Sequence, residues 1–289
     1  MKKQNDFKNF FHAGIMDHLE DLIRLALQED GQDLTSMAVF SPGDKCRAVI
    51  KAKQKTIVAG LPLVRIILDK IAGEGRPGFL VQEGDLVDPN TPVASIRGGT
   101  CKILQAERII LNFMARLSGI ANLTRAYTQK IEDTDVRLLD TRKTTPGHRY
   151  LEKYAVRLGG GMNHRMDLEE MLMLKDNHID QAGSIEQAVQ TLRNTYHPCP
   201  PIEVECRRID DVLEAVRAGS DRIMLDNMGM DEIRHSLKIT RQSGVESEIS
   251  GGVNLDNIRD LALMGPTFIS VGALTHSAVA ADYSMGMEI

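Results

Sequence analysis

The sequence predicts an α/β protein in two parts, and three observations carry that prediction. The chain has 289 residues, enough for one large α/β domain or two smaller ones with a sizeable core. Up to about residue 135, short β-like pieces alternate with amphipathic helices. Beyond it, apolar runs recur at roughly 20 to 35 residues with helical stretches between them, which is the cadence of parallel βαβ units.

In the first part, residues 15–30 place Ile15, Leu19, Leu22, Ile23, Ala26 and Leu27 at helical spacing. "CRAVIKAK" and "TIVAG" read as short strands. A helix around "LPLVRIILDKIA" follows, with Pro62 suited to its first turn. "FLVQEGDLVDPNTPVASIRG" reads as strands broken by Gly-Asp and Pro-Asn turns. Its turn pattern is like that of lipoyl- and biotinyl-carrier modules, but no Lys sits at a hairpin tip, so a structural sandwich is the expectation. "KILQAERIILNFMARLSGIANLTRAYTQKI" predicts one long helix or two, broken near Ser118-Gly119.

In the second part, six runs end in turn at Asp140, Lys175, Glu205, Asp226, Ser250 and Gly272. The intervening helices carry C-terminal glycines, such as Gly219 and Gly265. Such a series forms either a doubly wound sheet or a β/α barrel. A full eight-stranded barrel takes about 250 residues, and only about 140 carry this cadence, so a barrel here is small or incomplete. In either architecture the ligand face lies at the carboxyl ends of the strands.

Composition narrows the function. Hydrophobic residues at 42% and charged residues at 26% describe an ordinary globular chain. A net charge of -5 and a pI near 5.9 argue against a general nucleic-acid surface. Cys46, Cys101, Cys199 and Cys206 form no close pair, so neither a C-x-x-C zinc site nor a redox motif is predicted. The basic start "MKKQNDFKNFFHAG" has no signal-peptide run behind it, and no 18 apolar residues occur in succession. A cytoplasmic protein is the expectation.

Against that acidic background, "LLDTRKTTPGHR" gathers cations where a strand ends. Alone it admits two readings, a solvated basic loop or a socket for an anion. Arg142, Lys143, His164, Arg165 and Lys175 all follow strand ends that converge in a parallel fold. Five convergent cations repel one another unless a polyanion fills the site, and Arg presents a planar fork suited to carboxylate and phosphate. Glu205 and Asp226 end adjacent runs, and need a Lys, hydroxyl donors or a divalent cation such as Mg²⁺ to offset their charge. A purely structural pair bridged to Lys143 or Lys175 is the plainer alternative. Ser250-Gly251-Gly252 and Gly272 allow backbone N–H groups to approach phosphate oxygens.

Here the sequence resembles a known family. "DTRKTTPGHRYLEKYAVRLGGGMNHRMDLEEMLMLKDNHI", "EVECRRIDDVLEAVRAGSDRIMLDNM" and "EISGGVNLDNIRDLALMGPTFISVGALTHSAVAADYSM" are similar to quinolinate phosphoribosyltransferases, as is "AERIILNFMARLSGIA". The likeness runs from about residue 20 to 285, with two departures: a shortened "EDGQDLTS" carrying Gln32 for Gly, and Asn122 where Thr is usual. The resemblance implies an N-terminal α/β sandwich (1–115, joined by 276–289) and an incomplete β/α barrel (116–275). It implies Mg²⁺ as cofactor, and a homodimer or higher homo-oligomer in which the neighbouring subunit lends Arg108. It assigns Arg142, His164, Arg165 and the lent Arg108 to the two carboxylates of quinolinate, and Thr144 to substrate binding. Lys175 is shared between substrates, and Lys143 reaches the pyrophosphate of phosphoribosyl pyrophosphate. Glu205 and Asp226 bind ribose hydroxyls or the metal. Ser250, Gly251, Gly252 and Gly272 hold the 5′-phosphate, with His276 nearby. Lys143, Lys175, Glu205 and Asp226 form the catalytic set.

Rival readings are a related phosphoribosyltransferase for another aromatic acid, a Schiff-base aldolase using Lys143 or Lys175, and a non-catalytic phosphate-sugar sensor. The last has little use for paired acids.

Overall fold

The computed structural model describes residues 7–71 and 75–288. Residues 1–6, where the basic start of the chain falls, residues 72–74, where the predicted 61–72 helix ends, and residue 289 lie outside that range. Contacts divide the chain into two compact units: Met1–Thr124 with Thr144–Gly160 and Ser277–Ile289, and Arg125–Lys143 with Gly161–His276.

The first unit begins with α1 (Ala13–Asp30) and α2 (Leu34–Val39). The "EDGQDLTS" departure spans the end of α1, the turn and the start of α2. Asp33 caps α2 by accepting the Ser36 N–H at 2.9 Å, and its hydrogen bonds with Ser36 hold its carboxyl below the ordinary range. Next come β1 (Lys45–Ala52), β2 (Thr56–Ile57), α3 (Leu61–Lys70), β3 (Arg76–Phe79), β4 (Leu86–Val87) and β5 (Pro92–Gly99). The start of α3 is buried, and Glu83 satisfies it by accepting Gly60 N–H at 2.7 Å and Leu61 N–H at 2.9 Å. Asn122, the other departure, accepts the Ile57 N–H at 2.7 Å and donates to Thr56 Oγ1 at 2.8 Å, so it tethers β2.

The predicted break at Ser118-Gly119 does not occur: α4 (Thr100–Lys130) is one continuous helix of 31 residues. Gly119 is there for close approach, since a Cβ on it would lie 2.1 Å from the Val279 carbonyl oxygen. Ser118 accepts the Ala59 N–H at 3.0 Å.

Further along the chain are β6 (Arg137–Leu139), α5 (Arg149–Leu158), β7 (Leu172–Leu174), α6 (Asp176–Ala182), α7 (Ile185–Thr195), β8 (Ile202–Cys206), α8 (Ile209–Ala218) and β9 (Arg222–Asp226). Then follow α9 (Met230–Ser243), β10 (Glu246–Ser250), α10 (Ile258–Leu263), β11 (Phe268–Ser270), α11 (Ala273–His276) and β12 (Tyr283–Glu288). The last strand pairs antiparallel with β1, giving the first unit a four-stranded sheet in the order β12-β1-β5-β3.

The division differs from the expected 1–115/116–275 split in two ways. The first unit keeps α4 as far as Thr124, and it also takes in α5, which the βαβ cadence would give to the second. Side-chain contacts explain the second difference. Tyr154 packs against Phe7, Phe10 and Phe11. Glu152, wholly buried, takes Arg116 Nη2 at 2.7 Å and Thr145 Oγ1 at 2.8 Å. Gly159 lies so close to α4 that a Cβ would meet the Ala121 carbonyl oxygen at 2.5 Å.

The second unit holds a six-stranded parallel sheet in the order β6-β11-β10-β9-β8-β7. Each strand from β7 to β11 neighbours the next in sequence, and β11 neighbours β6. That order is a ring opened at a single seam, between β6 and β7, with no reversal of the kind that marks a doubly wound sheet. At the seam, Met162 forms an isolated parallel bridge to Leu139. The barrel is therefore incomplete.

Candidate active site

The parallel strands carry most of the polar residues singled out in the sequence to one end. Lys175 follows β7, Glu205 lies near the end of β8, Asp226 and Ser250 end β9 and β10, and Gly272 follows β11. Within the second unit, Arg142, Arg165 and Lys175 line one cleft of about 1310 Å³, together with Leu172, Met173 and His178. Arg165 is 8% exposed; burial, and then the neighbouring Arg142, lower its pKa. Its guanidinium donates to the Met171 carbonyl at 2.7 Å. Arg142 Nε is buried without a hydrogen-bond partner among the described residues. Two guanidiniums this close, one with an unsatisfied donor, make a site that gains from an anion.

Lys175 lies against Glu205, Nζ to Oε2 at 2.7 Å. The sequence reading missed a further cation there. Arg207 reaches Asp176 at 3.0 Å and Glu205 Oε1 at 3.5 Å, so one carboxylate lies between two cations. Its signal was present in "EVECR", where Glu203, Glu205 and Arg207 alternate on one side of the strand and its extension.

A second group forms around Gly272, where an added Cβ would meet Lys143 Cδ at 3.0 Å and His276 Nε2 at 3.2 Å. Thr275 Oγ1 donates to the Lys143 carbonyl at 2.8 Å, fixing the backbone of that lysine. A third group joins Asp226 to the Ser250-Gly251-Gly252 loop through Asn227, also missed in the sequence. Asn227 adopts φ 54°, its Nδ2 donates to Asp226 Oδ2 at 2.9 Å, and its N–H donates to the Ser250 carbonyl at 3.0 Å. Gly251, at φ +88°, has no room for a Cβ, which would lie 2.3 Å from Asn227 Oδ1.

The remaining predicted residues lie elsewhere. Arg108 is exposed on α4 in the first unit, with no ion pair among the described residues. Thr144, also in the first unit, accepts from Arg149 Nε at 3.3 Å. Asp140 is fully buried, and its carboxylate accepts Asn163 Nδ2 at 2.6 Å and the His164 N–H at 2.9 Å.

His164 lies apart from the residues that line this cleft. It was assigned to a substrate carboxylate, but its side chain, 5% exposed, is not among those lining the cleft. Nε2 lies 3.0 Å from Glu203 and 3.5 Å from Glu248, both wholly buried, and Nδ1 accepts the Arg165 N–H at 2.7 Å. Burial lowers the pKa of the ring, but the two carboxylates outweigh it and raise it to about 9. A second proton on Nδ1, however, would cost the Arg165 N–H its acceptor. The hydrogen bond therefore favours a single proton, on Nε2. Burial, then Glu248, push Glu203 up to about 7, while against burial contact with His164 holds Glu248 below the ordinary carboxylate range.

These features match a known group of proteins. Family models described as quinolinate phosphoribosyl transferase, C-terminal domain and N-terminal domain match residues 120–286 and 33–118. The chain belongs to the quinolinate phosphoribosyltransferase family. Among its relatives, a probable nicotinate-nucleotide pyrophosphorylase [carboxylating] of Bacillus subtilis (strain 168) is 38% identical, over 89% of this chain and 88% of that protein. One so described from Synechocystis sp. is 44% identical, over 81% and 80%. Solved structures of family members share the fold. NadC from Streptococcus pyogenes has a TM-score of 0.89 at 35% identity, covering 93% of this chain and 96% of that one. The nicotinate-nucleotide pyrophosphorylase from Francisella tularensis has a TM-score of 0.89 at 33% identity, covering 94% and 96%. Like other members, this chain is a pentosyltransferase. No helix among the described residues is long and apolar enough to cross a membrane.

Proposed function

We propose that this chain transfers the phosphoribosyl group of phosphoribosyl pyrophosphate to quinolinate and decarboxylates the adduct. The products are nicotinate mononucleotide, pyrophosphate and CO₂. The observation that carries this reading is the pairing of Arg142 and Arg165 in a cleft that also presents Lys175, a cation set matched to a dicarboxylate.

Arg142 and Arg165 hold the carboxylates and orient the pyridine nitrogen toward the anomeric carbon. That nitrogen forms the new C–N bond while the C–O bond breaks, its electrons leaving with pyrophosphate. Lys143 receives the growing negative charge, and Asp226 and Glu205 hold the ribose, whose positive charge grows in the transition state. The alkylated nitrogen is then an electron sink. The adjacent carboxylate leaves as CO₂, its bonding electrons remain on the ring carbon, and a proton from water completes the product. No protein nucleophile is required.

Asp226 and Glu205 offer carboxylate oxygens from adjacent strand ends, a donor type that suits Mg²⁺, which would share Glu205 with Lys175 and Arg207. Bound there, Mg²⁺ would offset charge on the pyrophosphate. The 5′-phosphate falls to Ser250, Gly251, Gly252 and Gly272, with His276 beside them, and Arg108 reaches the site of a neighbouring subunit. Its exposure without an ion pair among the described residues supports that last role.

The decisive assay combines quinolinate, phosphoribosyl pyrophosphate and Mg²⁺ and follows CO₂ and nicotinate mononucleotide. Absence of both products overturns the reading, and trapping of a carbonyl substrate by borohydride favours the aldolase. Arg142→Ala is expected to abolish quinolinate binding in calorimetry while leaving the circular dichroism spectrum unchanged.

A further inference from the structure

The parallel sheet of the second unit buries charge at a cost. Glu203 on β8 and Glu248 on β10 are both fully buried, and Arg222, at the start of β9 between them, approaches Glu248 at 3.6 Å. The Arg222 guanidinium stacks 4.0 Å from the Phe268 ring centroid. Buried ionic groups are poor stabilisers beside well-packed apolar residues of similar volume, whereas removing one partner is costly. Arg222 also pairs with the exposed Glu246 at 2.9 Å, so stability alone is a weak account of the two wholly buried carboxylates.

What they hold is more telling. From the NHR string His164 reaches both of these carboxylates, and its two nitrogens face opposite tasks. Nε2 lies 3.0 Å from Glu203 and 3.5 Å from Glu248, an ion-pair contact rather than an aligned hydrogen bond, and Nδ1 accepts the backbone N–H of Arg165. Asp140 fixes the His164 backbone from the other side. The ring is thereby a strut between the buried carboxylates and the residue that lines the cleft.

We propose that Glu203 and Glu248 are positioning residues for substrate binding: they lock the His164 ring so that its Nδ1 fixes the Arg165 backbone and aims the Arg165 guanidinium at a carboxylate of the acceptor. This rests on the proposed use of Arg142 and Arg165 for a dicarboxylate. His164 itself does not touch substrate. Freed from its clamp, the ring would rotate, the Arg165 N–H would lose its acceptor, and the guanidinium would sample orientations that do not meet the ligand.

The test pairs steady-state kinetics of Glu203→Gln and Glu248→Gln with nitrogen-15 NMR of the unmodified protein, its His164 resonances assigned by comparison with His164→Asn. The expected result is a rise of about tenfold in KM for quinolinate, with KM for phosphoribosyl pyrophosphate and kcat changed less than about twofold. A fall in melting temperature with both KM values unchanged would mean a merely structural network and would overturn the proposal. Should the variants not fold, the NMR experiment decides: Nδ1 must be unprotonated, and the ring signals must stay in place on adding quinolinate. A doubly protonated ring, or a ring shifted by direct ligand contact, sinks the inference. If quinolinate does not bind the unmodified protein at all, the functional reading fails, while the protonation state of Nδ1 still judges the clamp.

Discussion

At the scale of single residues, Gly251 and Gly252 look interchangeable in the sequence and are not. Both have positive φ, but an added Cβ is blocked only at Gly251, by the Asn227 amide that orients Asp226. Gly251→Ala is therefore expected to raise KM for phosphoribosyl pyrophosphate at least about tenfold. Gly252→Ala carries only the left-handed backbone cost of about 1 kcal/mol, a few-fold effect. Equal effects in steady-state kinetics would contradict this account. Glu83 offers a pH test. Burial pushes its carboxyl from the ordinary 4.5 up to about 7, against two backbone N–H donors. The folded state thus binds its proton more tightly than the unfolded chain. The associated stabilisation, about 3 kcal/mol, is complete below pH 4.5 and lost as pH rises through 7. Melting temperature should fall across that window in the unmodified protein, and fall less in Glu83→Gln. Residue types at strand ends were legible in the sequence. The direction of the His164 ring was not, because the carboxylates that turn it, Glu203 and Glu248, lie on later strands.

At the scale of elements, periodicity located the helices, and glycine misled once. Gly119 marks a place where the backbone near Val279 crosses α4 closely, a long-range contact with the same local signature as a helix break. Nothing local in the sequence marks the helix α5 as a member of the first unit. Its allegiance rests on Glu152, which joins it to Arg116 and Thr145. Removing that buried carboxylate strands a half-buried guanidinium. Glu152→Ala is expected to lose about 3 to 5 kcal/mol in urea unfolding, and a loss below 1 kcal/mol would show that the rings around Tyr154 suffice.

At the scale of the whole molecule, the parallel cadence announced a barrel or a doubly wound sheet, and only strand order separates the two. Assembly is the other property at this scale. If Arg108 acts in a neighbouring subunit, inactive Arg108→Ala and Arg142→Ala proteins should complement when unfolded and refolded together. In a dimer, about one quarter of the sites then recover both arginines. Size-exclusion chromatography with activity measurement checks this, and a mixture as inactive as its parents would confine Arg108 to its own chain.

The seam between β6 and β7 has a consequence of its own. Arg142 follows one lip and Lys175 the other, while the segment leading to Arg165 runs between them. A ring sealed by backbone pairing would fill the space where an aromatic diacid could lie. The enzyme forgoes one row of ladder bonds, and the vacancy so left is a doorway already flanked by guanidinium and ammonium groups.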